Sequence, residues 1–209
     1  MRTAMVVGMS GHTGKKLIEK LLLSRTYRRV ITLSRREDRK LKNIHLIKHI
    51  VDFGNLEPHR EVFESCDEVF CLLGKDYVNA KVQTEIEQLV YNYPIEVARM
   101  AKAVGIKRFL LLNPTIEKLN SSDPEMRLRK QLEEEILQMG FEDFHVVRIG
   151  KIQKPKHWIT LRRKWLNFVK FTRKMMGKSP DGFHSIPANI LADEIFQWAN
   201  SQPDLLKEH

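Results

Sequence analysis

Residues 6–14 of the chain read Val6-Val7-Gly8-Met9-Ser10-Gly11-His12-Thr13-Gly14. Apolar residues precede this stretch and an amphipathic segment follows it, which predicts a strand, a glycine turn and a helix. Glycine allows the tight turn and removes the Cβ that would keep a phosphate away from the backbone. The helix then directs free N–H groups and its positive dipole end at the anion. The stretch therefore predicts a phosphate-binding turn, with an ordinary turn between strand and helix as the alternative.

Strands and helices alternate along the chain. Short apolar runs predict strands at residues 4–7, 30–33, 46–51, 68–73, 108–112 and 144–149. Helices are predicted at residues 14–23, 55–64, 84–104 and 124–139, with Pro94 marking a kink or a new first turn in the third. Near-continuous apolar strands are typical of a parallel sheet that is covered on both faces. We therefore expect an α/β fold with a Rossmann-like, doubly wound parallel sheet and a small C-terminal helical extension, in a single domain over residues 1–209.

The excess of positive over negative charge comes from one segment. Residues 151–178 contain ten Lys or Arg and no Asp or Glu, whereas the whole chain has a formal net charge of +10. Residues 158–176 have helical spacing, with Trp158 and Trp165 on one broad apolar face. We interpret residues 151–185 as a basic insertion that faces a substrate or a partner. The alternatives are an ordinary packed helix with a basic outer face, or a surface that docks an acidic protein or an anionic membrane.

Composition limits the class of protein. The hydrophobic fraction of 42% and the charged fraction of 30% are typical of globular proteins. The sequence has no apolar run long enough to span a membrane and no signal-peptide core, so a cytoplasmic location is expected. Cys66 and Cys71 lack metal-type spacing and are expected to be buried thiols, so no metal site is predicted. Specific nucleic-acid binding is not expected, because no recognition motif accompanies the basic segment.

The residues after the second strand indicate which dinucleotide would bind. In dinucleotide folds this position lies beside the adenosine ribose, where an acidic residue binds a free hydroxyl and an arginine accommodates a 2′-phosphate. Here the residues are Ser34, Arg35 and Arg36, which favours NADP(H) over NAD(H). A solvated charge cluster is the alternative. Asp52, after the third strand, is predicted either to bind the adenine amino group or to form a turn before Gly54.

Several strings along residues 1–200 resemble the atypical short-chain dehydrogenase/reductases, and within them the NmrA-like and Tat-interacting-protein branch. The matching strings are Gly8-x-x-Gly11-x-x-Gly14, Leu33-Ser34-Arg35-Arg36, Val51-Asp52-Phe53, Phe70-Cys71-Leu72-Leu73-Gly74-Lys75, the passage at residues 97–109, and Val147-Arg148-Ile149-Gly150. The resemblance implies an NAD(P)-binding Rossmann-like fold. The cofactor-binding residues that we assign are Gly8, Ser10, Gly11, His12, Thr13, Gly14, Ser34, Arg35, Arg36, Asp52, Leu73, Gly74, Lys75 and Lys130.

The resemblance fails at the residues that would carry catalysis. Catalytic members of the family have a Ser or Thr after strand five and a Tyr-x-x-x-Lys on the next helix, with the tyrosine as proton donor. Here Thr115 is the stand-in for the serine, Lys130 matches the lysine, and Met126 takes the place of the tyrosine. A thioether has no proton to donate. The sequence thus favours a reductase-like protein that uses Lys130 and Thr115 or a bound water, with a non-catalytic NADP(H)-sensing regulator or scaffold as the alternative.

Overall fold

The computed structural model describes residues 1–37, 41–73, 83–114, 124–149 and 187–200. These residues contain six strands. The strands are β1 (Arg2–Val7), β2 (Tyr27–Ser34), β3 (Leu46–Ile50), β4 (Glu68–Cys71), β5 (Arg108–Pro114) and β6 (Asp143–Ile149). They form one sheet in the order β3-β2-β1-β4-β5-β6, and every pairing is parallel. The chain therefore has the predicted doubly wound fold, and its strand order reverses between β1 and β4.

Helices cover both faces of this sheet. They are α1 (His12–Leu23), α2 (Arg60–Glu64), α3 (Gln83–Glu87), α4 (Tyr93–Ala103), α5 (Pro124–Gln138) and α6 (Ala188–Asn200), with a 3₁₀ turn at Glu57–His59 and a π turn at Gln88–Asn92. The helical region predicted over residues 84–104 consists of α3, the π turn and α4 in succession, and the predicted new first turn at Pro94 is confirmed. Pro94 lies in the first turn of α4, where its missing N–H costs no hydrogen bond.

Two apolar layers hold the helices against the sheet. The alternation of side chains along β1 divides them: Met5 and Val7 face one layer, and Ala4 and Val6 face the other. The first layer is filled from α2, α4 and α5, and the second from α1 and α6. The C-terminal helix α6 packs beside α1, where Lys20 forms an ion pair with Asp193 at 2.5 Å. None of the helices in the described ranges is both long enough and apolar enough to cross a bilayer.

The turn between β1 and α1 depends on very close backbone contacts. A Cβ on Gly8 would lie 2.6 Å from the carbonyl oxygen of Leu72, and Gly8 has a φ of +103°. A Cβ on Gly14 would overlap the carbonyl oxygen of Gly8. Glycine is required at both places, because the backbones of β1, of α1 and of the segment after β4 converge there.

A buried cluster of charged residues lies at the opposite, amino-terminal edge of the sheet. Glu68 is fully buried, and its carboxylate accepts a hydrogen bond from Arg108 at 2.7 Å. Arg2 lies 3.3 Å from the other carboxylate oxygen and donates to the carbonyl of Ala199 at 2.7 Å. Arg108 also donates to the carbonyl of Trp198. The cluster therefore caps the last turn of α6 and fixes it to the sheet.

Gly14→Ala tests the close contact in the turn. Alanine is the better helix former by about 1 kcal/mol, yet the overlap with Gly8 should make the variant less stable by about 2 kcal/mol. Urea unfolding would measure the loss. Gly11→Ala is the control, because a Cβ there meets the Gly8 carbonyl oxygen at an ordinary 3.5 Å. Equal or higher stability of Gly14→Ala would contradict this account.

Arg108→Met tests the charged cluster. The variant removes the nearer of the two cations beside the buried Glu68 carboxylate and leaves it with Arg2, so we expect a loss of about 3 kcal/mol in the free energy of unfolding. The Glu68→Met/Arg108→Met double variant should lose less, because the fully buried Glu68 carboxylate is then removed together with its nearest cation. Arg2 and Asp143 also lose a partner, but their side chains are partly exposed. Lys107→Met, at an exposed neighbouring position, serves as the control. A double variant less stable than Arg108→Met would argue against the pairing.

Candidate functional site

The glycine turn lies at the carboxyl ends of β1 and β4, beside the point where the strand order reverses. Gly11 is the N-cap of α1, and no side chain caps this end of the helix. The first N–H groups of α1 therefore lack side-chain partners, as an anion site at a helix N-terminus requires. Ser10 and His12 are exposed beside the turn, whereas Thr13 is buried and its hydroxyl has no hydrogen-bond partner among the described residues. The turn thus fits a phosphate group.

The end of β2 carries the three residues predicted to contact the adenosine phosphate. The Ser34 hydroxyl donates to the carbonyl of Arg36 at 2.8 Å, so it shapes the turn that follows the strand. Arg35 and Arg36 are both exposed. The guanidinium of Arg35 lies 5.8 Å from the centre of the Tyr93 ring. Because β2 pairs with β1 in parallel, these residues lie at the same edge of the sheet as the glycine turn.

Asp52 forms a turn before Gly54, which is one of the two roles predicted for it. Its carboxylate accepts a hydrogen bond from the Gly54 N–H at 2.9 Å, and its carbonyl accepts one from Asn55. The side chain is exposed after β3. Binding of the adenine amino group by Asp52 stays a prediction.

Of the remaining assigned residues, some lie within the described ranges and others do not. Leu73 is half-buried just after β4, near the glycine turn, since Leu72 donates its N–H to Val7 at 2.8 Å. Gly74, Lys75 and Thr115 lie outside the described residues, as does the basic segment at 151–185. Their roles stay predictions.

Lys130 lies on the outer side of α5. Its side chain is 64% exposed and forms an ion pair with Glu134 at 3.5 Å. The buried face of α5 instead carries Met126 and Arg129. The catalytic and ribose-binding roles assigned to Lys130 stay predictions, and this placement does not bring it to the end of β5.

Arg129, which was not predicted from the sequence, does reach the carboxyl end of β5. Arg129 is only 4% exposed and donates to Glu125 through two nitrogens, at 3.0 and 2.9 Å. Its third nitrogen donates to the side-chain oxygen of Asn113 at 3.2 Å. Asn113 is fully buried near the carboxyl end of β5. Arg129 therefore contacts the carboxyl end of β5, while the neighbouring Lys130 is exposed.

The network continues from Asn113 to β6. The Asn113 amide donates to Glu133 at 2.8 Å, and Glu133 also accepts from Arg148 at 2.8 Å. Glu125, Arg129 and Glu133 recur at intervals of four, which places them along one face of a helix. In the sequence, the signal for this network is that charged residues recur at the helical spacing that usually marks a buried apolar face. We call this set the α5 network; it comprises Asn113, Glu125, Arg129, Glu133 and Arg148.

Tyr91, in the π turn, contacts α5. Its hydroxyl donates to Glu135 at 2.5 Å and accepts from Gln131 at 3.1 Å. Burial and the bond to Glu135 raise the pKa of the Tyr91 phenol above its usual value of 10.0. The Tyr91 hydroxyl therefore joins α5 to the π turn through its bonds to Glu135 and Gln131.

Comparisons with known proteins agree with this architecture. Residues 4–115 match the NAD dependent epimerase/dehydratase family, which is more than half of the chain. The rat protein HTATIP2 is 25% identical over 194 residues, which cover 88% of this chain and 74% of that protein. This match confirms the resemblance to the atypical short-chain dehydrogenase/reductases and their Tat-interacting-protein branch.

Two solved structures share the fold at low identity. The Bordetella bronchiseptica enzyme WbmH in complex with NAD+ is 14% identical, with a TM-score of 0.69 over 94% of this chain and 71% of that chain. A short chain dehydrogenase from Burkholderia cenocepacia in complex with NADP is also 14% identical, with a TM-score of 0.62 over 97% and 86%. The chain belongs to the NAD dependent epimerase/dehydratase family and has the Rossmann-like fold of the short-chain dehydrogenase/reductases.

Proposed function

We propose that this protein binds NADP(H) at the carboxyl ends of β1, β2 and β4. One observation supports this most directly. An uncapped helix N-terminus and two exposed arginines lie at the same edge of the sheet, on neighbouring strands. A dinucleotide with a 2′-phosphate carries negative charge at its pyrophosphate and at its adenosine ribose, which would face the helix N-terminus and the arginines respectively. The WbmH and Burkholderia structures contain NAD+ and NADP respectively, so the fold accommodates either cofactor.

The proposal assigns each end of the dinucleotide to particular residues. The N–H groups of Thr13 and Gly14, in the first turn of α1, would hold the pyrophosphate, with Ser10 and His12 beside it, while the Gly11 N–H donates to the Gly8 carbonyl and shapes the turn. Arg35 and Arg36 would hold the 2′-phosphate by charge-assisted hydrogen bonds. Bound there, the cofactor supplies a transferable hydride.

The Arg35→Ala/Arg36→Ala double variant tests the choice of cofactor. It should bind NADPH at least tenfold more weakly and leave the affinity for NADH unchanged within about twofold, because only NADPH carries the 2′-phosphate. Titration calorimetry would measure both dissociation constants. Arg25→Ala/Arg29→Ala removes the same charge from exposed positions before and early in β2 and is the matched control. Equal affinity of the unaltered protein for NADPH and NADH would contradict the assignment.

A second candidate function is a non-catalytic sensor or scaffold, and the α5 network favours this role over catalysis. The Arg129 guanidinium donates two hydrogen bonds to Glu125 and a third to Asn113. A guanidinium fixed in this way does not exchange a proton with a substrate. The network therefore favours a protein that holds NADP(H) as a sensor or scaffold. The oxidoreductase that uses Lys130 and Thr115 or a bound water is the competing candidate.

Turnover of NADPH separates the two candidates. As a sensor or scaffold, the purified protein should oxidise NADPH no faster than buffer does across a panel of aldehydes and ketones. The assay is the loss of NADPH absorbance. Turnover that Lys130→Ala abolishes and Arg127→Ala preserves would restore the oxidoreductase, since Arg127 is another exposed cation of α5.

The sensor or scaffold role would also need a contact surface. We propose residues 151–178 for it, because their charge suits an acidic protein or an anionic membrane. The support for this surface is the sequence alone, and the cytoplasmic location likewise stays a prediction.

A further inference from the structure

Tyr93 lies beside Arg35 although it follows it by 58 residues in the chain. It is the first residue of α4, and the Arg35 guanidinium carbon is 5.8 Å from the centre of its ring. A cation within about 6 Å of an aromatic centre is attracted by the negative face of the ring. Neither the glycine turn nor the residues after β2 pointed to Tyr93.

The ring of Tyr93 is held by the core. It packs on Phe53 with 5.3 Å between ring centres, and Phe53 is 2% exposed in the layer on that side of the sheet. Pro94 follows and is buried, and its ring fixes φ in the first turn of α4. Tyr93 therefore offers Arg35 a surface whose position is set by packed neighbours.

The π turn determines which residue takes this place. The Tyr93 N–H donates to the carbonyl of Gln88, five residues earlier, where an α-helix would bond four residues earlier. One extra residue in a turn rotates the following helix by about 100° relative to a regular helix. The π turn directly before α4 thus sets the face on which Tyr93 meets Phe53 and Arg35.

We propose that Tyr93 is a positioning residue for Arg35 and so contributes to the preference for a 2′-phosphorylated adenosine. An exposed arginine samples many rotamers, and ordering it on binding costs entropy. A ring that already holds the guanidinium at the end of β2 lowers that cost. The inference rests on the proposed function, because it assigns Arg35 to the 2′-phosphate.

Tyr93→Leu and Tyr93→Phe form the matched pair that tests the proposal. Tyr93→Leu should weaken NADPH binding about two- to fivefold, the worth of one exposed cation–π contact, with NADH affinity unchanged. Tyr93→Phe keeps the ring and should bind NADPH like the unaltered protein. Thermal unfolding of each variant checks that the core around Phe53 is intact, and Tyr93→Met replaces Tyr93→Leu if the latter does not fold.

A double-mutant cycle with Arg35→Ala distinguishes positioning from a structural role. In the Arg35→Ala background, Tyr93→Leu should have no further effect on NADPH affinity, because the ring then has no guanidinium to hold. Equal losses for NADPH and NADH, or a full loss in the Arg35→Ala background, would overturn the role of Tyr93 alone. A protein that binds NADPH and NADH equally before any substitution overturns the assignment of Arg35, and the role of Tyr93 with it.

Discussion

The backbone contacts of Gly8 and Gly14 are the constraint on which the rest of the site depends. At these two points the chain approaches itself more closely than any side chain allows. The contacts bring β1, α1 and the segment after β4 together at the place where the strand order reverses. The N-cap of α1 in this turn is Gly11, which has no side chain to cap the helix, so the turn presents an uncapped helix N-terminus as a candidate anion site. The ends of β2 and β3 then lie beside that site because the sheet is parallel.

Two buried charged clusters occupy opposite edges of this sheet. At the amino-terminal edge, Glu68 and Arg108 hold the end of α6, and their role is to fix the last described helix. At the carboxyl edge, the α5 network joins α5 to β5 and β6 next to the proposed cofactor site. Each cluster pairs its charges, as burial requires. The two clusters differ in position: the first lies at the end of the sheet away from the glycine turn, and the second lies at the carboxyl ends of β5 and β6.

The sheet could be predicted because apolar runs and helical periodicity are local signals, and all six predicted strands are present. The glycine turn could be predicted for the same reason. Residues 84–104 were predicted to be helical with a kink or a new first turn at Pro94, and α4 does begin there. The π turn before α4 was not predicted, because it leaves no mark in the apolar pattern that distinguishes it from an α-helix. Lys130 was matched by spacing within one helix, and spacing alone does not decide which of two neighbouring cations faces the sheet. That choice follows from the buried Asn113, which contacts Arg129.

The sequence by itself determined the order of strands and helices, the phosphate-binding turn and the pair of arginines after β2, because each depends on residues close together in the chain. Only the tertiary structure decided that Arg129 faces the end of β5 and that Tyr93 lies against Arg35. These contacts join residues from separate elements. Their geometry is set by how helices rotate and pack on the sheet, and no local pattern of residue types encodes that rotation.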